Sequence, residues 1–370
     1  MSETANASGM TTGAVLDDAR SPADESTLYA ALDLGTNNCR LLIAARHTQG
    51  FRIVDAYSRI VRLGEGVSQS GRLGEAAMER AIGALRVCAD KIRRRGVAKV
   101  RAVATQACRS AVNGDAFIAA VAERTGLRLE VITPREEAQL AVAGCLDLLD
   151  RRNRAALVLD VGGGSTELSW IDLSEPGLNV GPRRVAHRHL PIKAWQSTPL
   201  GVVTLAERFP DVGPDDKAGY RRMVEAVKAE MGVCAEAEPF HDMFAAGQAH
   251  IVGTSGAITS LAGLHLGLRR YDRAKVDGLW MTRAECEAVA TRLIALSIAQ
   301  RAAEPCIGPD RADLVLAGAA ILQAVQELWP SERVRVADRG LREGLLLSLM
   351  ASGRAGRPRR RRGGRGGRRT

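Results

Sequence analysis

Apolar residues change period several times along this chain. From Ala31 an apolar run passes through Asp33 into a small-residue turn and emerges into a second apolar stretch at 39–45. A further strand pattern follows at 51–57. Over 74–95 apolar positions recur every three or four residues, which predicts a helix. A buried-type strand is predicted at 99–105, a helix at 114–125 and a strand at 129–132. Thr133-Pro134-Arg135-Glu136 then has the form of an N-cap with Pro at the first helical position and Glu at the third, opening a helix to about 149. The polar Asp150-Arg151-Arg152-Asn153-Arg154 is the expected domain junction. Beyond it the opening repeats as strand, loop and strand, followed by helices over roughly 215–231, 282–298 and 313–329. Alternating strands and helices predict an α/β architecture, and the repeated opening predicts duplicated halves.

The repeated element is specific. Ala31-Leu32-Asp33-Leu34-Gly35-Thr36-Asn37-Asn38 returns as Val158-Leu159-Asp160-Val161-Gly162-Gly163-Gly164-Ser165-Thr166. Glycines at such a turn permit positive φ and close backbone approach, so several N–H groups can converge on an anion. Thr36, Ser165 and Thr166 add hydroxyls. The aspartates repel a phosphate but can hold a divalent cation that binds one. Two facing copies would enclose a metal and phosphate site; the plainer reading is a pair of tight turns between strands.

With 370 residues and 46% hydrophobic content, the chain can bury a large core in two domains. No run of apolar residues is long enough to span a bilayer, and the polar segment 1–27 lacks a signal pattern, so a cytoplasmic protein without membrane association is expected. The seven cysteines form no Cys-x-x-Cys pair and read as reduced and mostly buried. Of the net charge of +10, nine arginines fall between positions 354 and 370 with no acid among them, so the remainder is near neutral. That excludes a basic nucleic-acid-binding body. The Arg/Gly-rich tail 351–370, like segment 1–27, is expected to be disordered. The tail suits weak, salt-sensitive binding to RNA or another polyanion, or is simply solvated; it has no aromatic residues for base stacking. Arg183, Arg184, His187, Arg188, His189 and Lys193 form a second basic cluster, either a polyanion path or the polar face of a strand. The absence of Gly-x-Ser-x-Gly and Walker motifs excludes serine hydrolases of that type and P-loop enzymes.

Taken in order, several motifs resemble the exopolyphosphatase and guanosine pentaphosphate phosphatase family. They are Asp33-Leu34-Gly35-Thr36-Asn37, Ala104-Thr105-Gln106-Ala107-Cys108-Arg109, Arg135-Glu136-Glu137-Ala138, Asp160-Val161-Gly162-Gly163-Gly164-Ser165-Thr166-Glu167 and Val252-Gly253-Thr254-Ser255-Gly256. Ile307-Gly308-Pro309-Asp310-Arg311-Ala312-Asp313 and Asp338-Arg339-Gly340-Leu341-Arg342-Glu343-Gly344 close the set. The resemblance spans about 28–350 and implies two ribonuclease-H-like domains of the actin-like, sugar-kinase-like ATPase superfamily, at 28–150 and 151–350, with a cleft between them. It looks like the short form of the family, whose final helix, here about 341–350, is expected to cross back onto the first domain. Two departures stand out. Asn38 replaces a usual Ser or Thr, which changes one phosphate contact and leaves the backbone N–H groups. Ala257 replaces a usual Gly-Thr, which argues weakly against nucleotide substrates.

By this resemblance Glu137 is the catalytic glutamate that activates water, and Asp160 and Glu167 are the metal- and water-positioning carboxylates, with Asp33 opposite. Asp33, Asp160 and Glu167 are then the ligands of Mg2+ or Mn2+. Arg109 is a phosphate-binding arginine. The backbones of Gly35, Thr36, Asn37 and Asn38 and of Gly162, Gly163, Gly164, Ser165 and Thr166 form the anion cradle. Without the resemblance, Glu137 reads as a first-turn glutamate and Arg109 as a salt-bridge arginine, and Glu136 reads as the dipole-stabilising residue either way. The expected activity is hydrolysis of the terminal phosphoanhydride of inorganic polyphosphate by a homodimer. Guanosine pentaphosphate is the nearest rival substrate. A superfamily kinase with a nucleotide pocket near 253–263, or a non-catalytic polyphosphate or alarmone sensor, are the further alternatives.

Overall fold

In the computed structural model, residues 27–47, 50–175, 190–210 and 212–352 are described. The segment 1–26, the tail 353–370 and most of the second basic cluster lie outside them; Lys193 is described and pairs with Glu175. Among the described residues the chain builds two mixed sheets. The first contains β1 (Leu28–Leu34), β2 (Asn38–His47), β3 (Gly50–Ile60), β4 (Lys99–Ala104) and β5 (Leu129–Val131), in the order β3-β2-β1-β4-β5. The second contains β6 (Ala155–Val161), β7 (Thr166–Asp172), β8 (Ile192–Thr198), β9 (Ala249–Thr254), β10 (Trp280–Thr282) and β11 (Arg333–Ala337), in the order β10-β11-β9-β6-β7-β8.

The two sheets share one plan. In each, the first strand pairs antiparallel with the second, the second antiparallel with the third, and the first parallel with the fourth. The fourth strand then pairs parallel with β5 in one sheet and with β11 in the other. β10 is the addition that the first sheet lacks. β1 and β6 sit centrally, which is why their apolar residues, except Leu28 at the start of β1, are buried on both faces while the sixth position, Asp33 or Asp160, keeps partial exposure.

Helices cover the sheets by burying one stripe each. The helix Glu75–Arg94 turns Ala77, Ala81, Ile82, Leu85 and Cys88 onto the first sheet and carries Lys91, Arg93 and Arg94 at its C-terminal end, where they oppose the helix dipole. In the second half, Val315–Leu328 is buried nearly throughout, and Trp170 meets Trp329 edge-on with centroids 5.0 Å apart. Two helices lie between the sheets. Pro134–Cys145 puts Leu140 into a cluster with Tyr29, Ala31 and Val103 of the first sheet, while Val142 and Cys145 join Val158, Ile171 and Val252 of the second. Leu341–Ser352 follows β11 yet packs Leu341, Leu345, Leu346 and Met350 against the first sheet.

These two helices cross almost backbone to backbone. A Cβ on Gly144 would stand 2.0 Å from the Gly340 carbonyl oxygen, and one on Gly344 would stand 2.1 Å from that of Leu140. All seven cysteines are free, and six are buried. Among the described residues no helix is long and apolar enough to cross a membrane.

Candidate active site

Each hairpin turn connects the first strand of its sheet to the second, and both close in the same way. The amide of Gly35 donates to the Asn38 carbonyl and that of Gly162 to the Ser165 carbonyl, each at 2.9 Å. Four further carbonyls of the turns are tied to neighbouring segments. Thr36 and Asn37 accept from Gly64, Val61 and Arg62, while Gly162 and Gly163 accept from Val202 and Val203 at 3.0 and 2.8 Å. Fixing a carbonyl outward turns the adjoining peptide N–H inward. Among the described residues no acceptor takes the amides of Thr36, Asn37, Gly163 or Gly164.

The two turns touch. A Cβ on Gly163 would stand 3.0 Å from Thr36 Cβ and 3.2 Å from the Asn37 amide nitrogen, and one on Gly164 would stand 2.8 Å from Thr36 Oγ1. None of Gly35, Gly162, Gly163 and Gly164 has a positive φ. The expected need for left-handed backbone is therefore corrected: these glycines are required for close approach of one loop to the other.

One cavity runs along the contact, lined by Asp33, Gly35, Thr36, Asn37, Asn38, Glu137, Asp160, Gly162, Gly163, Gly164, Ser165 and Glu167. β-pairing sets Asp160 opposite Glu167 and Asp33 opposite Arg40. Glu137 comes from the first turn of the helix Pro134–Cys145, whose N-cap Thr133 accepts from the Glu136 amide at 3.2 Å. Glu136 itself turns away to Arg101.

Burial of the carboxyls, reinforced by their crowding, governs the electrostatics. Burial, then the neighbouring Asp33, pushes Asp160 up to about 6; burial, then Asp160, pushes Glu167 up to about 7. Ser197 donates to Glu167 at 3.0 Å and partly offsets this. Glu137 is held well above the ordinary carboxylate value by burial and by the facing Glu167, with Arg109 Nη1 at 3.3 Å pulling the other way. Burial likewise raises Asp33.

The folded site therefore keeps protons that the unfolded chain, with ordinary values of 3.8 and 4.5, has released. Its contribution to stability falls as pH rises through the window from about 4 to about 7. Glu167→Gln is expected to gain stability relative to wild type between pH 5 and 8 in EDTA, read by urea unfolding. The difference between the two proteins removes His250, whose depression to about 4 by burial gives the opposite slope below pH 6.5. A difference that does not change with pH would contradict the charge crowding.

Sequence reasoning missed the cationic half of the cavity. Arg40, Arg311, Arg339 and Arg342 line it. Arg40 stands at the same offset from Asp33 as Glu167 does from Asp160, so alignment of the two loop copies would have singled it out. A Cβ on Gly256 would lie 3.0 Å from Arg40 Nη2, so the missing side chain there gives the guanidinium its space. Arg339 is held by Asp277 at 3.0 Å. Among the described residues no ion pair engages Arg40, Arg311 or Arg342. Ser255, with φ of 86° at the end of β9, is strained at the cavity edge, and its hydroxyl donates to the Val161 carbonyl.

Two expected ligands are placed otherwise. The Thr166 hydroxyl donates to the Leu200 carbonyl at 2.7 Å and is fully buried, so it braces β7 and does not enter the cradle. Arg109 donates to Ile132 O at 2.7 Å and Gln106 Oε1 at 2.6 Å, which commits its guanidinium to the flank of Glu137 and away from the cavity lining. Of the two departures, Asn38 lines the cavity with its Oδ1 buried and unpartnered, as is Asn37 Oδ1, and Ala257 packs near Gly318. Among the described residues no three His, Cys, Asp or Glu side chains form a ready-made metal cage. Asp33, Asp160 and Glu167, the carboxylates expected to hold the cation, all line the same cavity. Two buried amide oxygens beside crowded carboxylates still suit a hard cation that takes its other ligands from phosphate and water.

Comparison with known proteins agrees with this geometry. The Ppx/GppA phosphatase family is matched over residues 42–353. Exopolyphosphatase 2 of Mycobacterium tuberculosis is 32% identical over 337 residues, covering 87% of this chain and 98% of its own. The guanosine-5'-triphosphate,3'-diphosphate pyrophosphatase of Aeromonas hydrophila is 30% identical, covering 88% of this chain and 60% of its own. Among solved structures, the Aquifex aeolicus member of the Ppx/GppA family has a TM-score of 0.69 at 28% identity, covering 88% of this chain and 98% of that one. An exopolyphosphatase from Cytophaga hutchinsonii shares the fold, with a TM-score of 0.75 at 22% identity over 88% of this chain and 98% of its own. With facing hairpins of one plan and a match that runs from β2 to the end of the last helix, the chain belongs to the Ppx/GppA phosphatase family.

Proposed function

We propose that this protein is a metal-dependent exopolyphosphatase that hydrolyses the terminal phosphoanhydride of inorganic polyphosphate and releases phosphate. The observation that carries the reading is one cavity lined by both turns, by the carboxyls of Asp33, Glu137, Asp160 and Glu167 and by half-buried arginines. Phosphoryl transfer asks the protein for alignment and charge stabilisation more than for covalent chemistry. The amides of Thr36, Asn37, Gly163 and Gly164 receive the non-bridging oxygens of the terminal phosphoryl group. Arg40, Arg311 and Arg342 offset the charge of the chain behind it. Glu137, in its carboxylate form, takes a proton from the water that attacks phosphorus in line with the bridging oxygen. The shortened chain leaves with that oxygen. Asp33 and Asp160, with the Asn37 and Asn38 oxygens nearby, would hold Mg2+ or Mn2+, which when bound neutralises phosphoryl charge.

Guanosine pentaphosphate presents the same terminal bond, and the Aeromonas relative is named for that substrate, so it is the second reading. The proposal also takes the protein as a cytoplasmic homodimer whose Arg-rich tail supports weak binding to RNA or other polyanions. Phosphate release with magnesium from long-chain polyphosphate, guanosine pentaphosphate and ATP tests the reading. Polyphosphate is expected to give the highest kcat/KM. A preference for the pentaphosphate would exchange the two readings, and no release from any of them would remove both.

A further inference from the structure

A second cavity lies outside the loops, bounded by the helices Val202–Arg208 and Ile298–Ala303, with a volume of about 300 Å3. That is at the lower end for sites that take small molecules. Its walls are mixed: Val203, Ala206, Phe209, Met223, Leu316 and the half-exposed Ile298 form the apolar part, and Arg62, Glu65, Glu207 and Asp313 the charged part. Set into these walls is Arg301, only 2% exposed. Its Nε donates to the Leu293 carbonyl at 3.0 Å, while Nη2 is buried with no hydrogen-bond partner. Among the described residues no carboxylate pairs with it.

A guanidinium stays charged at any pH the protein meets, and a buried charge without a counter-charge is costly. Nothing in the phosphatase mechanism uses Arg301. Its environment calls for an anion, and the walls exclude most of them. Inorganic polyphosphate has no apolar surface to place against Phe209 and Met223. Multiply charged ligands must also pass Glu65, Glu207 and Asp313, which line the same cavity. Glu207 accepts from the Gly66 amide at 2.9 Å, and Asp313 is held by Arg62 at 2.7 Å, so two of these acids are fixed in place.

We propose that this cavity binds a small amphiphilic monocarboxylate, its head on the Arg301 guanidinium and its hydrocarbon body along Val203, Ala206, Phe209 and Met223. The site is distinct from the phosphate cradle, and Leu314 borders both cavities.

Isothermal titration of the full chain with octanoate, octanol and inorganic phosphate tests the assignment. Octanoate is expected to bind saturably at one site per chain, octanol at least tenfold more weakly, and excess phosphate should not displace octanoate. Arg301→Met, which removes an unpaired buried charge and keeps the volume, is expected to weaken octanoate binding at least tenfold. No saturable octanoate binding, equal binding of octanol, displacement by phosphate, or unchanged binding in a folded Arg301→Met protein would each overturn the proposal. The comparison of head groups uses the unaltered protein, so it decides the question even if the variant does not fold.

Discussion

Glu137→Gln is expected to lower kcat for phosphate release by roughly 10²- to 10⁴-fold, the range of a general base, with KM almost unchanged. Glutamine keeps the volume of the side chain and one oxygen for Arg109, whose bonds to Ile132 O and Gln106 persist, so the cradle should retain its shape. What disappears is a carboxylate able to accept the proton of the attacking water. The pH dependence separates this from a packing defect. Because burial and Glu167 raise the Glu137 pKa, the base form is gained as pH rises, and wild-type kcat should climb through that raised value. The residual rate of the variant should lack that rising limb. Equal rates for the two proteins, or an identical limb in both, would remove Glu137 from the proton transfer.

Gly144→Ala should be the most damaging single methyl group in the fold. The added Cβ would meet the Gly340 carbonyl oxygen at 2.0 Å and its carbon at 2.7 Å, and a backbone carbonyl cannot rotate aside as a side chain can. The helices Pro134–Cys145 and Leu341–Ser352 would have to separate, loosening the clusters around Leu140, Leu345 and Leu346 on one side and Val142 and Cys145 on the other. A loss of about 3 kcal/mol or more is expected, at the upper end of overpacking effects, and it should appear as a clear drop in Tm. Activity should fall too, since Glu137 rides on one helix and Arg342 on the other. Gly83→Ala is the control: nothing lies within 4 Å of that Cβ, and removing a helical glycine should be neutral or slightly stabilising. Similar melting temperatures for wild type and Gly144→Ala would show that the crossing has slack.

Much of this architecture is legible in the chain because the informative signals are local. The helices expected at 74–95, 215–231, 282–298 and 313–329 correspond to Glu75–Arg94, Lys217–Met231, Arg283–Ala295 and Val315–Leu328. The two loop copies mark the β1–β2 and β6–β7 hairpins. β8, β9, β10 and β11 went unread; β10 has only three residues, and Arg333-Val334-Arg335-Val336-Ala337 shows a strand only once β9 is beside it. In the site, Asp33, Asp160 and Glu167 stand out because carboxylates next to glycine turns are locally odd, whereas Glu137, in the first turn of a helix, stands out only through the family resemblance. Arg311 and Arg342 do not, since only the tertiary fold brings them to the cavity. For Arg109 and Thr166, sequence gave the neighbourhood and not the direction in which the side chain points.

The final helix also makes the order of synthesis matter. Tyr29, Ala31, Leu42 and Val103 form a face of the first sheet that Leu345, Leu346 and Met350 cover. On the ribosome that face emerges well before its cover, by an interval of tens of seconds at roughly 5–20 residues per second. For that time the nascent first half is a sticky surface suited to a holding chaperone. A fragment ended at the turn 150–154 would keep the same bare face permanently. Despite two sheets of one plan, the halves cannot be handled as interchangeable modules, because the helix Leu341–Ser352, which follows the second sheet, completes the core of the first.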